Sequence, residues 1–364
     1  MEKSSFSAGI VAGIVVAAAL AAVAVLLPDA ERIFIADTAP PTIDVWYGAY
    51  QVYGRPGTAQ QWINLSGTVS DVGSDISTLR HALNGVSASV PLSIGPDGRR
   101  LVTKGEFNIE LDKDDLRDGI NRLTITAADE AGNQSIKTVW IDYGSQNTWP
   151  LPYEIDWARV TNPQDVVHIV DGLWTWDADG IRTHPDHVGY DRLLAIGDMT
   201  WTDYEVTLPI TLHSVDETAY FSRKSSGPGV GIIMRWIGHS DRPISCAQPR
   251  CGWSPSGGSN WYEWKLLQPD RLHIFASPAG GPTFTDLQPL EKGGTYWLKA
   301  RVETKSEGAL YSLKLWDEDA EEPANWNLQK QTLPGHHPNG SFLLNAHHVD
   351  VTIGDVSVVP VPTG

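Results

Sequence analysis

Between Thr42 and Tyr143 the apolar positions come in short runs and alternations, and no helical period persists over three turns. The segments INLSGTVSD, LRHALNG, ASVPLSI, GEFNIEL, NRLTITAAD and IKTVWIDY are separated by Gly, Asn and Asp turns and predict strands. About seven strands in a hundred residues predict a β-sandwich over residues 42–145. Alternation resumes after Pro150 in DYEVTLPITL, GVGIIMRWIG, WYEWKLL, RLHIFAS, YWLKARVET, LYSLKLW and HVDVTIGDVSV. In YWLKARVET, Trp297, Lys299, Arg301 and Glu303 share one face, and Leu298, Ala300 and Val302 share the other. That is a half-buried strand of period two. An all-β stretch over 150–361 predicts a double-sheet jelly roll. Two prolines with aromatics in YGSQNTWPLPYEIDW, Tyr143 to Trp157, predict a stiff, partly packed joint between the two.

One segment breaks the strand pattern. Ala8 to Leu27 carries no charge and is long enough to cross a bilayer as a helix. Lys3 precedes it and Asp29 and Glu31 follow, which places the amino terminus inside and the remainder outside. Residues 1–30 are expected to be a signal anchor and 31–41 a linker, with a cleaved signal peptide as the alternative. Either way the folded part is extracytoplasmic. In that compartment Cys246 and Cys251, the only cysteines, are expected to form a disulfide. So short a loop contributes about 2 kcal/mol by chain entropy.

The net charge of −17 excludes nucleic acid as a partner, because no basic surface is available to displace phosphate counterions. It also argues against electrostatic docking on anionic lipid. Eleven of the fifteen tryptophans lie after Pro150, so the second half is chemically distinct.

Two resemblances follow from these segments. DGINRLTITAADEAGNQSIKTVWI, with HALNG and GEFNIEL before it, resembles the bacterial immunoglobulin-like or cadherin-like modules of exported proteins. That resemblance implies a spacer or contact module. WTDYEVT, GVGIIMRW, TYWLKARVE, YSLKLWDEDAEEPANW and GSFLLNAHHVDVTIGDVSV resemble, in order and form, the concanavalin A-like lectin/glucanase superfamily, including laminin-G-like and 3-keto-disaccharide-hydrolase-like domains. The second resemblance covers nearly the whole second half and speaks to fold more than to activity.

The glucanase branch of that superfamily carries its acids on one strand as E-x-D-x-x-E. The nearest match here is Asp317-x-Asp319-x-x-Glu322, followed at once by Pro323, which reads as a solvated acidic turn. Serine-nucleophile, phosphate-loop and H-E-x-x-H motifs are absent. On a strand, Trp261, Glu263 and Lys265 share a face, a pairing suited to a sugar subsite: ring stacking plus a carboxylate for hydroxyls. A surface ion pair is the plainer reading. The candidate ligand-binding residues are Arg192, Trp236, His239, Trp253, Trp261 and Glu263. If the chain is an enzyme, Glu263 and Asp350 are the first suspects.

Histidines and acids raise the question of metals. Reading Asn345 to Ile353 as one strand puts His347 in phase with Val349 and Val351, and His348 with Asp350. The two rings then point to opposite faces and cannot share an ion. His336 and His337 fall in a turn region where exposure is expected. His184 and His187, in RTHPDHVGYDR, lie on a polar loop and could contact metal or substrate. Asp129 and Asn133 read as a hairpin turn capped by its own side chains, or as calcium ligands together with Asp71, Asp75 or the Asp112-Asp114-Asp115 cluster. A zinc site at the C-terminal histidines would need a further ligand such as His184 or His187, and calcium is the candidate cation.

The expectation is thus a membrane-tethered extracytoplasmic protein. An immunoglobulin-like spacer carries a distal jelly roll that binds polysaccharide, glycan or another cell-surface protein. The alternatives are a glycoside hydrolase or lyase with non-standard acids, and a purely structural surface protein.

Overall fold

The computed structural model describes residues 37–362 apart from 87–88, 224, 226, 243–247, 253–256 and 277–280. It is all-β, built from two sandwiches. The expected anchor over 1–30 and most of the linker lie outside the described residues. Among the described residues no helix is long and apolar enough to cross a membrane.

The first sandwich pairs a three-stranded sheet with a five-stranded one. Thr42–Val45, Trp62–Ser70 and Glu106–Asp112 form the former. Tyr50–Tyr53, Gln134–Tyr143, Gly119–Asp129, Ile76–Leu83 and Val90–Pro91 form the latter, with the first pair parallel. Period-two alternation is clear in Gly119–Asp129, where Leu123, Ile125 and Ala127 are fully buried and meet Leu65, Phe107 and Ile109 in one core.

The second sandwich encloses a larger core between a seven-stranded and a nine-stranded sheet. The seven-stranded order is His168–Asp171, Arg192–Ile196, Ser341–His347, Gly229–Trp236, Gly258–Glu263, Arg271–Ala276, Thr283–Asp286. The nine-stranded sheet runs through Trp174–Asp177, Gly180–Thr183, Val349–Ile353, Tyr204–Val215, Thr295–Lys305, Gly308–Asp317 and Leu328–Gln331. Val356–Pro360 and Tyr153–Ile155 extend it beside Tyr204–Val215. Leu298, Ala300 and Val302 face the core as their alternation requires. Arg192–Ile196, Gly229–Trp236 and Ser341–His347 are buried along their whole length, on both faces. Such strands read as continuous apolar runs rather than alternations.

What covers part of the second face is the first sandwich. Residues 39–364 form one compact unit, and the seam between its sandwiches is polar and buried. Arg100 donates through Nε to Asp171 Oδ2 and through Nη1 to Glu110 Oε1, both at 2.5 Å. Arg192 donates to Glu106 Oε1 at 3.1 Å and to the Arg100 carbonyl at 2.8 Å. The side chains of both arginines and all three acids are at most 2% exposed. Around them Asn108 donates to the Val170 carbonyl, and the Tyr47 hydroxyl donates to the Gly172 carbonyl while accepting from Trp174 N. Trp62 Nε1 donates to the His239 carbonyl. The aromatic joint is packed as expected: Trp149 and Trp157 are buried, and Trp149 N donates to Asp198 Oδ2. A free-standing spacer would need no such seam.

Breaking one partner of a buried ion pair strands the other in low dielectric. Arg100→Ala is therefore expected to lower the unfolding free energy by about 3–5 kcal/mol in urea titrations. Arg55→Ala, which removes an exposed pair with Asp142, is expected to cost less than about 1 kcal/mol.

Candidate functional site

The outer face of the seven-stranded sheet, opposite its core side, gathers the functional side chains. Cross-strand register places Asn345, Gly231, Trp261, His273 and Phe284 side by side across five strands. The adjacent row holds His347, Gly229, Glu263, Arg271 and Asp286. Alternate residues Tyr262, Leu272 and Ile274 turn inward and are fully buried. Gly229 and Gly231 carry no side chain between the histidine side and the tryptophan side, and both are buried. Trp261 leans into that gap: a Cβ on Gly229 would lie 2.6 Å from its Cε3. At Gly231 a Cβ would meet the Asn260 carbonyl at 2.1 Å.

Glu263 anchors one side of this face. Its Oε2 accepts from Arg271 Nε at 3.0 Å and lies 3.5 Å from Lys265 Nζ, and its Oε1 is 3.0 Å from His273 Nδ1. Burial opposes its charge, but His273, Lys265 and Arg271 together outweigh burial and bring its pKa down to about 2. A carboxylate held this acidic can accept hydrogen bonds but cannot act as a general acid near neutrality. Arg271 also stacks on Phe284, 4.7 Å from the ring centre.

On the other side of the glycines lies the histidine pair. The expected single strand through Asn345 and Ile353 is interrupted. Ser341–His347 belongs to the seven-stranded sheet and Val349–Ile353 to the nine-stranded one, and the chain crosses at His348, whose φ is +56°. The left-handed residue brings both rings to the same side, 4.8 Å apart. Each imidazole is held through Nδ1 by its own aspartate: His347 by Asp191 at 2.7 Å and His348 by Asp216 at 3.0 Å. His347 Nε2 meets Ser225 Oγ at 2.7 Å. Asn345 Nδ2 donates to the same Asp191 oxygen at 3.1 Å. Burial pushes the Asp191 carboxyl up, but His347 and Asn345 outweigh it and hold the group below its ordinary range. Tyr190 and Trp261 pack edgewise on His347, 4.8 and 5.8 Å between ring centres.

Several sequence-derived candidates fall elsewhere. Arg192 is fully buried in the seam between the sandwiches, with Glu106 and Asp171 as partners, and is not presented to a ligand. Trp236 is core. His239 is buried at the same seam, its ring packed edgewise on Trp236. Trp253 and Cys246 lie outside the described residues; Cys251 is buried, and no described cysteine is free. Asp350 is buried in the nine-stranded sheet, bidentate with Arg182 at 2.9 and 2.7 Å. It is therefore on a different sheet from Glu263, and the two suspected acids do not converge. Trp261 and Glu263 do share a face, as their spacing requires.

The metal candidates resolve likewise. Asp129 accepts from Asn133 N at 2.8 Å and from Asn133 Nδ2 at 2.9 Å, the self-capped hairpin turn. Carboxylate oxygens of Asp37, Asp71 and Asp129 lie within 4.8 Å of one another, so among the described residues these three could hold a cation. His184 caps a 3-10 turn by accepting from Asp186 N, and His187 packs on Trp46. His336 is half-buried rather than exposed and takes Arg235 Nη1 at 2.6 Å. Glu322 pairs with Lys299 and Lys314, which makes the acidic turn a surface charge cluster.

Ser225, Asp216, His273 and Phe284 were not singled out as site residues by the sequence, whereas Asp191 was legible beside Arg192 in GYDR as a group for sugar hydroxyls or an internal salt bridge. His273 and Phe284 had a legible signal, because RLHIFAS alternates and puts His273 opposite to Leu272 and Ile274. Ser225 had none, since its loop carries no nucleophile motif.

No protein-family profile matches the chain, and no curated protein matches its sequence. Solved structures resemble it distantly. The VIP36 exoplasmic/lumenal domain in its Ca2+-bound form is 12% identical over 53% of this chain and 83% of that one, with a TM-score of 0.35. The Crh5 transglycosylase in complex with NAG is 6% identical over 60% and 90%, with a TM-score of 0.34. A bifunctional GH43-CE protein of Bacteroides eggerthii is 10% identical over 84% and 46%, with a TM-score of 0.37. At these TM-scores the likenesses assign no activity to the chain.

The low pKa of Glu263 has a signed consequence for stability. A carboxyl depressed in the folded state stabilises it above the ordinary value of 4.5 and loses that contribution as pH falls toward about 2. Glu263→Gln is expected to be less stable than the parent at pH 6, with the gap closing on acidification. Thermal midpoints of the two proteins along a pH series measure it.

Proposed function

We propose that the protein binds carbohydrate on the outer face of the seven-stranded sheet. One observation supports this above the rest: Trp261, His273 and Phe284 stand in register on three neighbouring strands, on the face opposite the buried Tyr262, Leu272 and Ile274, with Phe284 54% exposed. Pyranose rings stack on aromatic faces, and hydroxyls need charged groups already fixed in place. Glu263 and Arg271 are fixed by their mutual pairing and by Lys265 and His273. Phe275, also exposed, lengthens the apolar strip by one row. The glycosidase alternative loses support from the separation of Glu263 and Asp350 onto different sheets, because glycoside hydrolysis needs two carboxyls flanking one bond.

On this reading the second sandwich is a concanavalin A-like jelly roll and the first an immunoglobulin-like module that buttresses it. Boundaries near 42–145 and 150–361, a bond between Cys246 and Cys251, and display outside the cytoplasm from an N-terminal anchor belong to the same proposal. Calcium at Asp71 and Asp129 would bear on the first sandwich rather than on the aromatic face.

The test incubates the full chain with a panel of soluble and insoluble polysaccharides, with calcium and with chelator. Retention is expected, and Trp261→Ala or Phe284→Ala is expected to weaken it at least about tenfold, the equivalent of 1.4 kcal/mol. Retention that survives both substitutions in folded protein would remove the aromatic face from the proposal. Loss of retention in chelator would bring the Asp71–Asp129 pair into binding.

A further inference from the structure

The sequence carries no serine-hydrolase motif, yet the fold assembles a nucleophile, a base and an orienting acid from three distant segments. Ser225 Oγ is 2.7 Å from His347 Nε2, and His347 Nδ1 is 2.7 Å from Asp191 Oδ1. Both distances fall in the range a working nucleophile–base–acid relay requires. With Nδ1 facing a carboxylate, the imidazole carries its proton there and leaves Nε2 to accept from the serine hydroxyl. Aspartate–histidine pairs also orient metal ligands through the same nitrogen. Here, however, the Nε2 of His347 is already engaged by a hydroxyl, which is the serine-hydrolase arrangement.

The surroundings fit a working group better than an incidental hydrogen bond. Asp191 is buried and held by Asn345 as well as His347. Tyr190 and Trp261 fix the imidazole plane from two sides. Ser225, by contrast, lies outside the strands and is only half-buried. Gly227 N donates to Ser225 Oγ at 3.2 Å, which fixes the hydroxyl oxygen beside His347. The buried Trp261 Nε1 has no hydrogen-bond partner, so a donor beside His347 is unspent. The aromatic row begins at Trp261, one strand away from Asn345 and His347.

We propose that Ser225, His347 and Asp191 form an acyl-transfer site that hydrolyses O-acyl esters of carbohydrate. Ester cleavage stands on the triad alone; a sugar as the alcohol half rests on the glycan-binding reading. Ser225 Oγ attacks the ester carbonyl carbon while His347 Nε2 takes the hydroxyl proton. The tetrahedral adduct collapses as the carbon–oxygen bond to the sugar breaks, and His347 gives that proton to the leaving alkoxide. Water then attacks the acyl-serine, His347 takes a proton from it, the Ser225 ester bond breaks, and the proton returns to Ser225. The products are the free sugar hydroxyl and a carboxylic acid. Ser225 and His347 are the catalytic residues; Asp191, Asn345 and Tyr190 are positioning residues.

The experiment treats the full chain with a fluorophosphonate and maps the adduct by mass spectrometry, alongside hydrolysis of p-nitrophenyl acetate. Phosphonylation of Ser225 is expected, and so is its loss in His347→Gln. Ser225→Ala is expected to lower kcat/KM for the ester at least about a thousandfold with an unchanged thermal midpoint. Asp191→Asn is expected to lower kcat by about a hundredfold or more with KM unchanged, a split that a purely structural role would not produce. Folded wild-type protein whose Ser225 stays unmodified overturns the triad, whatever the variants do. Release of acetate from O-acetylated polysaccharide supports the sugar ester. Labelling of Ser225 and turnover of p-nitrophenyl acetate without that release support the triad and overturn the sugar as alcohol half.

Discussion

Two buried guanidiniums hold this molecule in its arrangement. Arg100 reaches from the first sandwich to Asp171 of the second, and Arg192 reaches back to Glu106. Neither could be buried alone, since an unpaired charge in low dielectric is too costly to keep. Each needs acids from both sandwiches, so the two halves specify each other. Burial works against the charge of Arg100, and Glu110 and Asp171 more than offset it, which holds the guanidinium protonated at any accessible pH. The surrounding neutral hydrogen bonds, from Tyr47, Asn108 and Trp62, fix the register of the contact.

That seam reaches the functional face directly. Arg192 follows Asp191 in the chain, so the ion pair that closes the seam also fixes the carboxylate facing His347. The preceding loop is packed just as closely: a Cβ on Gly189 would lie 2.6 Å from a methyl of Val102 in the first sandwich. Arg99 lies over the ring of Tyr190, which in turn packs on His347. The first sandwich is thus a buttress for the histidine side of the site. The aromatic side, from Trp261 to Phe284, is built by the second sandwich alone.

A single backbone feature separates this face from an ordinary strand surface. At His348 the chain leaves one sheet for the other through a left-handed residue. Without that step the two histidines would point apart. With it, two imidazoles and their aspartates gather beside Gly229, where the Trp261 ring fills the space a side chain would take.

Local pattern determined a good deal. Period-two alternation is a property of neighbouring residues, so the all-β class and the strands Trp62–Ser70, Gly119–Asp129 and Thr295–Lys305 were readable from sequence, as was the shared face of Trp261 and Glu263. Where both faces of a strand are covered the alternation disappears, and Arg192–Ile196 went unread for that reason. Which polar residues are buried was equally hidden, because burial of Arg192, Trp236 and His239 depends on what packs over them from elsewhere. Ser225, Asp191 and His347 lie far apart along the chain and meet only when three segments converge. Spacing in sequence carries information about residues on one element. It carries none about residues brought together by pairing of distant strands or by packing of one sandwich on the other, so the sequence determined the strands and the tertiary structure alone decided the seam and the triad.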